Sequence, residues 1–193
     1  MLKKKDRGEY GYLRYRKATL TLGLFGVLLA SLAIFFTGLL VNDWEKANFF
    51  TIVSILGVLP GAKLLTLLIV LFPHKQIKED EKAFLDGLVR DNDKVFYDVV
   101  FTSKESPMHL DAIIVTEHQI VGYTTENKDK IDKTEQYFKN ELNIRKLDYV
   151  CFLTKSEQVL KSRLDRRSEA GVLSEKQAHD QQTVVDFIRT AIV

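Results

Sequence analysis

Two kinds of apolar pattern divide the chain. In "ATLTLGLFGVLLASLAIFFTGLLV", residues 18 to 41, hydrophobic positions run on without a charge. They do so again, with one interruption, in "ANFFTIVSILGVLPGAKLLTLLIVLFP", residues 47 to 73. From residue 74 onward apolar residues recur periodically among dense Lys, Glu and Asp. About 20 apolar residues cross the hydrocarbon core of a bilayer as a helix, so each long run predicts a membrane span. The expected division is a basic N-terminus and two-span anchor over 1–73, then a water-facing α/β domain over 74–193.

The first run lacks the short apolar core and small-residue cleavage site of a signal peptide, so it reads as an uncleaved anchor. The second holds Pro60-Gly61 and Lys63. Proline kinks a helix, and a lysine at mid-bilayer costs several kcal/mol unless it snorkels, pairs or faces a polar interior. Two arrangements stay open. Either the run is one kinked helix with Lys63 turned toward a partner, or it crosses by about residue 62 and "KLLTLLIVLF" follows the inner surface. Gly26, Ala30 and Ala33 on the first span, with Ser54, Gly57 and Gly61 on the second, would allow close approach. Lys3, Lys4, Lys5, Arg7, Arg14, Arg16 and Lys17 precede the first span, whereas the loop "NDWEK" carries one Lys against two acids. The positive-inside rule then puts both termini in the cytoplasm, with the anchor in the plasma (inner) membrane. Tyr15 and Trp44 stand where interfacial aromatics belong. A two-helix hairpin encloses no pore, so any channel would need a homo-oligomer or larger complex.

Periodicity then orders the second half. Residues 77 to 90 place Phe84, Leu85 and Leu88 on a helical stripe. "KVFYDVVFT", 94 to 102, is β-branched and aromatic and predicts a strand. "SKESPMH" predicts a loop, and "DAIIVT" and "IVGYTT" predict two strands joined tightly through Glu117, His118 and Gln119. "DKIDKTEQYFKNELNIRK" predicts a helix, with Ile131, Tyr137, Phe138 and Leu142 apolar. "LDYVCFLT", 147 to 154, predicts a strand buried on both faces. Thr154-x-x-Glu157 and Ser174-x-x-Gln177 have the form of capping boxes opening two further helices. The last of these turns Ala178, Val184, Val185, Ile188 and Ile192 toward a core. The fold class is α/β with a mixed (α+β) sheet, in the order αβββαβ with extra C-terminal helices.

Composition narrows the chemistry. A net charge of +2 gives no strong pull toward a polyanion. The single cysteine, Cys151, excludes an internal disulfide and reads as a buried thiol. His74, His109, His118 and His179 lack zinc-site spacing. "KSRLDRRSEAG" offers Lys161, Arg163, Arg166 and Arg167 to DNA or a membrane surface, but interleaved acids favour a solvated helix face. Phosphate-cradling glycine loops, nucleophile elbows and dinucleotide fingerprints are absent.

The stretch "KVFYDVVFTSKESPMHLDAIIVTEHQIVGYTTENKDK", followed by "YVCFLT", resembles the nuclease-related domain called NERD, of the restriction-endonuclease-like PD-(D/E)xK fold. The likeness covers roughly residues 77 to 154. It implies a cytosolic domain in which Asp111 and Glu126 are metal-binding acids and Lys128 is the catalytic lysine. Two carboxylates would hold Mg²⁺ on a DNA or RNA phosphodiester, and Lys would stabilise the attacking water or the developing charge.

Spacing leaves two registers open. If His118-Gln119 is the hairpin loop, Asp111 lies opposite Glu126. If Glu117-His118 is the loop, Asp111 faces Thr124, and Glu126 is displaced by about 7 Å along the strand. Three functions follow: a non-catalytic binding or assembly module on a degenerate site, an active Mg-dependent nuclease, or a subunit of an oligomeric membrane complex using Lys63. Asp111, Glu126 and Lys128 as solvated or capping charges is the plain alternative to a site.

Overall fold

A computed structural model describes residues 4–102, 107–167 and 173–193. Lys3 therefore lies outside the described residues, as do the first four residues of the expected "SKESPMH" loop. The chain separates into two compact units, residues 14–74 and an α/β unit of residues 1–13 with 75–193.

In the first unit, α1 (Tyr12–Val41) and α2 (Phe49–Leu71) are long and apolar enough to cross a membrane. α2 is one continuous helix with Pro60 inside it. Its start is fixed by Asn48, whose side chain accepts from the Thr51 N–H at 2.9 Å. Small residues set an antiparallel seam. A Cβ on Gly38 would fall 2.3 Å from Phe50 Cβ, one on Gly57 2.9 Å from Ser31 Oγ, and one on Gly61 3.3 Å from Val27 Cγ1. The second-span glycines are thus used as expected. The first helix instead presents Val27, Ser31 and Gly38, while Gly26 has open space around it and Ala30 and Ala33 are exposed. A 3.6-residue period, not small size alone, picks the contact stripe. Lys63 is exposed on α2 and has no ion-pair partner among the described residues.

The α/β unit carries a four-stranded mixed sheet in the order β1-β2-β3-β4. Its elements are α3 (Glu79–Asp86), β1 (Lys94–Thr102), β2 (Pro107–Val115), β3 (Gln119–Tyr123), α4 (Lys128–Ile144), β4 (Val150–Thr154), α5 (Glu157–Asp165) and α6 (Glu175–Ala191). β1, β2 and β3 form an antiparallel meander, and β4 runs parallel to β3 after the α4 crossover. One core joins Leu85 of α3 and Leu160 and Leu164 of α5 to Tyr97, Ala112, Ile114, Val121 and Tyr123. A second, aromatic contact set packs Phe101 edge-to-face with Phe138 (centroids 5.3 Å apart) and Phe138 edge-to-face with Phe187 (6.0 Å). Burying a phenylalanine this fully contributes about 1.5–3 kcal/mol.

Several local expectations shift. Pro107, Met108 and His109 belong to β2 rather than to a loop, because β1 is long enough to pair with them: Thr102 faces Pro107 and Phe101 faces Met108. β4 is an edge strand with Val150 exposed, so its apolar run is not covered throughout. Ser156, not Thr154, caps α5, accepting from the Val159 N–H. The Ser174–Gln177 capping box forms as expected. Val184, Val185, Ile188 and Ile192 are buried, whereas Ala178 in the first turn of α6 is exposed.

Both edges of the sheet are managed. On β1, the Tyr97 N–H donates to Gly8 O at 2.7 Å and Val193 N–H donates to Val100 O at 3.1 Å. Gly8 has φ +84, and a Cβ there would lie 2.3 Å from Phe96 Cδ1, so only glycine lets this segment approach. On β4, Leu153 N–H is capped by Glu135 Oε1 at 2.9 Å.

Candidate functional site

Asp111 lies in the middle of β2, only 6% exposed. The hairpin that presents it closes through Thr116 N–H donating to Gln119 O at 2.9 Å, which makes Glu117-His118 the two-residue loop. Downstream the pairs run Val115–Ile120, Ile114–Val121, Ile113–Gly122 and Ala112–Tyr123. One step further sets Thr124, not Glu126, opposite Asp111. Thr124 is buried and its hydroxyl donates to His109 O at 3.1 Å.

Asp111 is occupied by its neighbours. Its Oδ2 accepts the Thr125 N–H at 2.6 Å and the Thr125 hydroxyl at 3.1 Å. Its Oδ1 lies 4.0 Å from His109 Nδ1. Burial pushes the Asp111 carboxyl above its ordinary range, the two Thr125 bonds pull it back in part, and the negative charge of Glu126 raises it again. Thr125 and His109 are the residues that sequence reasoning missed here. A Thr-Thr pair at a strand end carries no spacing signal, and the lone His109 lacks a helical or cysteine-paired neighbour.

Glu126 stands past the end of β3 and pairs with Lys130 Nζ at 2.8 Å. The bond follows from helix geometry, since the two are four residues apart at the α4 entrance. Lys128 is the first residue of α4 and is exposed. Glu126 and Asp111 are close enough to feel each other's charge, yet each carboxylate already has other partners.

These residues do not fit a resident Mg²⁺. Such an ion prefers two carboxylates and several waters in near-octahedral array. Here the position facing Asp111 holds a threonine hydroxyl committed to a backbone carbonyl, and Asp111 Oδ2 already takes two donors. Glu126 would have to leave Lys130 to help.

A backbone distortion adjoins this position. Asp98 takes φ +51 in the interior of β1, the left-handed region that Asp tolerates better than most residues. Its Oδ1 accepts the Ile77 N–H at 2.7 Å, fixing the chain that leads into α3. The β1–β2 register is the same on both sides of it, so no residue is inserted.

Cys151 is buried and its thiol is pushed up to about 12, first by burial and then by Glu135. It serves as a packed apolar group, as expected. Of the basic run, Arg167 is not a solvated charge. It bonds Asp93 Oδ2 at 2.6 Å and Leu88 O at 3.0 Å. Arg163 lies over the Phe152 ring and reaches Gln119.

No protein-family model, curated protein or solved structure matches the chain significantly.

Proposed function

We propose that this is a membrane-anchored protein whose cytosolic unit is a nuclease-like scaffold without nuclease chemistry, acting as a binding or assembly module. The observation that carries the reading is the hairpin register. Thr124 faces Asp111, and the carboxylate is tied to Thr125. The element order α3-β1-β2-β3-α4-β4 supports kinship with the restriction-endonuclease-like αβββαβ core. α1 and α2 support an integral anchor, and the Lys and Arg residues before α1 support cytoplasmic termini and an inner-membrane location. Fold does not dictate function, and an altered acid leaves a scaffold free to serve as a docking unit. The exposed Lys63 within an apolar helix favours a homo-oligomer or a membrane complex as the assembly.

A second reading, an active Mg²⁺-dependent nuclease, draws on proximity: Glu126 lies near enough to Asp111 for its negative charge to favour the protonated carboxyl. The test is cleavage of single- and double-stranded DNA and RNA by the full chain in detergent with Mg²⁺ or Mn²⁺. The binding-module reading expects no cleavage above the Asp111→Ala background. Metal-dependent cleavage lost in Asp111→Ala would replace it with the enzyme.

A further inference from the structure

The hairpin turn that disarms one end of the sheet builds a cavity at the other. Glu117-His118, the loop before β1, the start of β4 and α5 line a half-open cavity of about 240 Å³. Five steps of strand lead from Asp111 to Thr116, about 17 Å, so the two places are independent.

The walls are fixed. Asp93 Oδ2 accepts both the Arg90 backbone N–H, at 2.8 Å, and Arg167 Nη1. The buried Gln181 amide holds Asn92 O at 2.9 Å and Val115 O at 3.3 Å. On this frame the lining is rich in donors. Arg163 Nε donates to Gln119 Oε1 at 3.1 Å, and its Nη groups meet no acceptor among the described residues. A guanidinium only donates, so Gln119 must offer it the oxygen and keep its amino group for something else. That amino group also meets no acceptor among the described residues.

His118 follows by the same accounting. Gln177 Oε1 accepts from Ser174 N–H at 2.9 Å, which turns its Nε2 toward His118 Nε2 at 3.0 Å. The amide nitrogen donates, so His118 Nε2 accepts and its proton sits on Nδ1. The cavity therefore has donors from α5 and β3 that meet no acceptor among the described residues, and it is also lined by His118, Arg90 and Arg167. Asp93 is already committed to donors of its own. Glu117 is the remaining lining carboxylate, and its charge acts on Tyr149.

We infer that this cavity binds a phosphate monoester on a small organic body. The Arg163 guanidinium and the Gln119 amino group side by side, with two further arginines in the lining, suit a multi-oxygen tetrahedral anion better than a planar carboxylate, and Arg163, held by Gln119 and Phe152, gives up little freedom on binding. The volume is below the ~300–1,000 Å³ of drug-sized sites, which admits a small ligand and not a folded polymer.

The test is calorimetric titration of the full chain in detergent micelles with phenyl phosphate, with benzoate and inorganic phosphate as comparisons. Phenyl phosphate should bind saturably at one site. Arg163→Gln should weaken it at least tenfold. Gln119→Glu, which gives Arg163 a permanent ionic partner and keeps the wall intact, should weaken it as much without lowering the melting temperature. Glu117→Gln should tighten it, and Arg166→Gln, on the exposed end of α5, should leave it unchanged. The inference is overturned if binding does not saturate, if Arg166→Gln matches the loss in Arg163→Gln, or if benzoate binds as tightly as phenyl phosphate.

Discussion

Replacing Asp111 by Asn and by Ala separates a structural carboxylate from a metal ligand. Alanine removes the acceptor of both Thr125 bonds. Thr125 is exposed, so water can replace part of what is lost. A net loss of about 2–3 kcal/mol follows from bonds made to a charged acceptor, roughly 5–10 °C in melting temperature. Asparagine keeps an oxygen for Thr125. It forfeits the charge-assisted strength but escapes both the burial of a charge and the repulsion from Glu126. The two effects offset, so Asp111→Asn should stay within about 1 kcal/mol of wild type at neutral pH.

The pH dependence has a definite sign. The folded chain raises Asp111 above its ordinary value of 3.8, so it holds the proton to higher pH than the unfolded chain does. The contribution of Asp111 to stability is full below that ordinary value and is lost as pH climbs through the raised one. Asp111→Asn lacks this loss, so its melting temperature relative to wild type should rise across that window. Thermal unfolding of the full chain in detergent, followed by near-UV circular dichroism, measures both effects. The reasoning fails if Asp111→Asn is as damaging as Asp111→Ala at neutral pH while Mg²⁺ stabilises only the wild type. That pattern would mean the charged oxygen serves a cation.

Three further outcomes follow from the packing. Arg167→Met should cost about 3–5 kcal/mol by stranding the buried Asp93, and adding Asp93→Leu should recover much of it, as chemical denaturation can show. Gly122→Ala should cost about 1–3 kcal/mol, because its Cβ would meet Leu153 Cδ2 at 2.4 Å; a smaller midpoint shift in urea would mean β3 and β4 yield easily. Cys151, with its thiol near 12, should resist an aromatic disulfide reagent at neutral pH until the chain is denatured; prompt labelling of the native protein would contradict its burial.

Much of the fold could be read from the chain because two periods dominate it. The two long apolar runs, the second despite Pro60 and Lys63, predicted α1 and α2, and β1 was bounded correctly by its β-branched and aromatic content. Boundaries moved where pairing decides: β2 extends back to Pro107 because β1 offers it partners. Capping was legible at Ser174, where side chain and backbone answer each other, and misplaced at Thr154, which is the last residue of β4. The hairpin register was the point on which the site turned, and nothing local encodes it. Glu117-His118 lacks the glycine or asparagine that advertises a tight turn, so only the sheet's pairing fixes it. The cavity beside the hairpin turn was equally hidden, since His118, Gln119 and Arg163 meet only once β3, β4 and α5 are assembled.

The proposal that Asp111 serves its neighbours and not a metal is tested most directly by titrating the full chain with Mn²⁺ and following the free ion by electron paramagnetic resonance. With Thr124 facing Asp111, the signal should track added Mn²⁺ with no saturable site, and Asp111→Asn should give the same curve. One tight site per chain that disappears in Asp111→Asn would contradict that and return Glu126 to the role of second ligand.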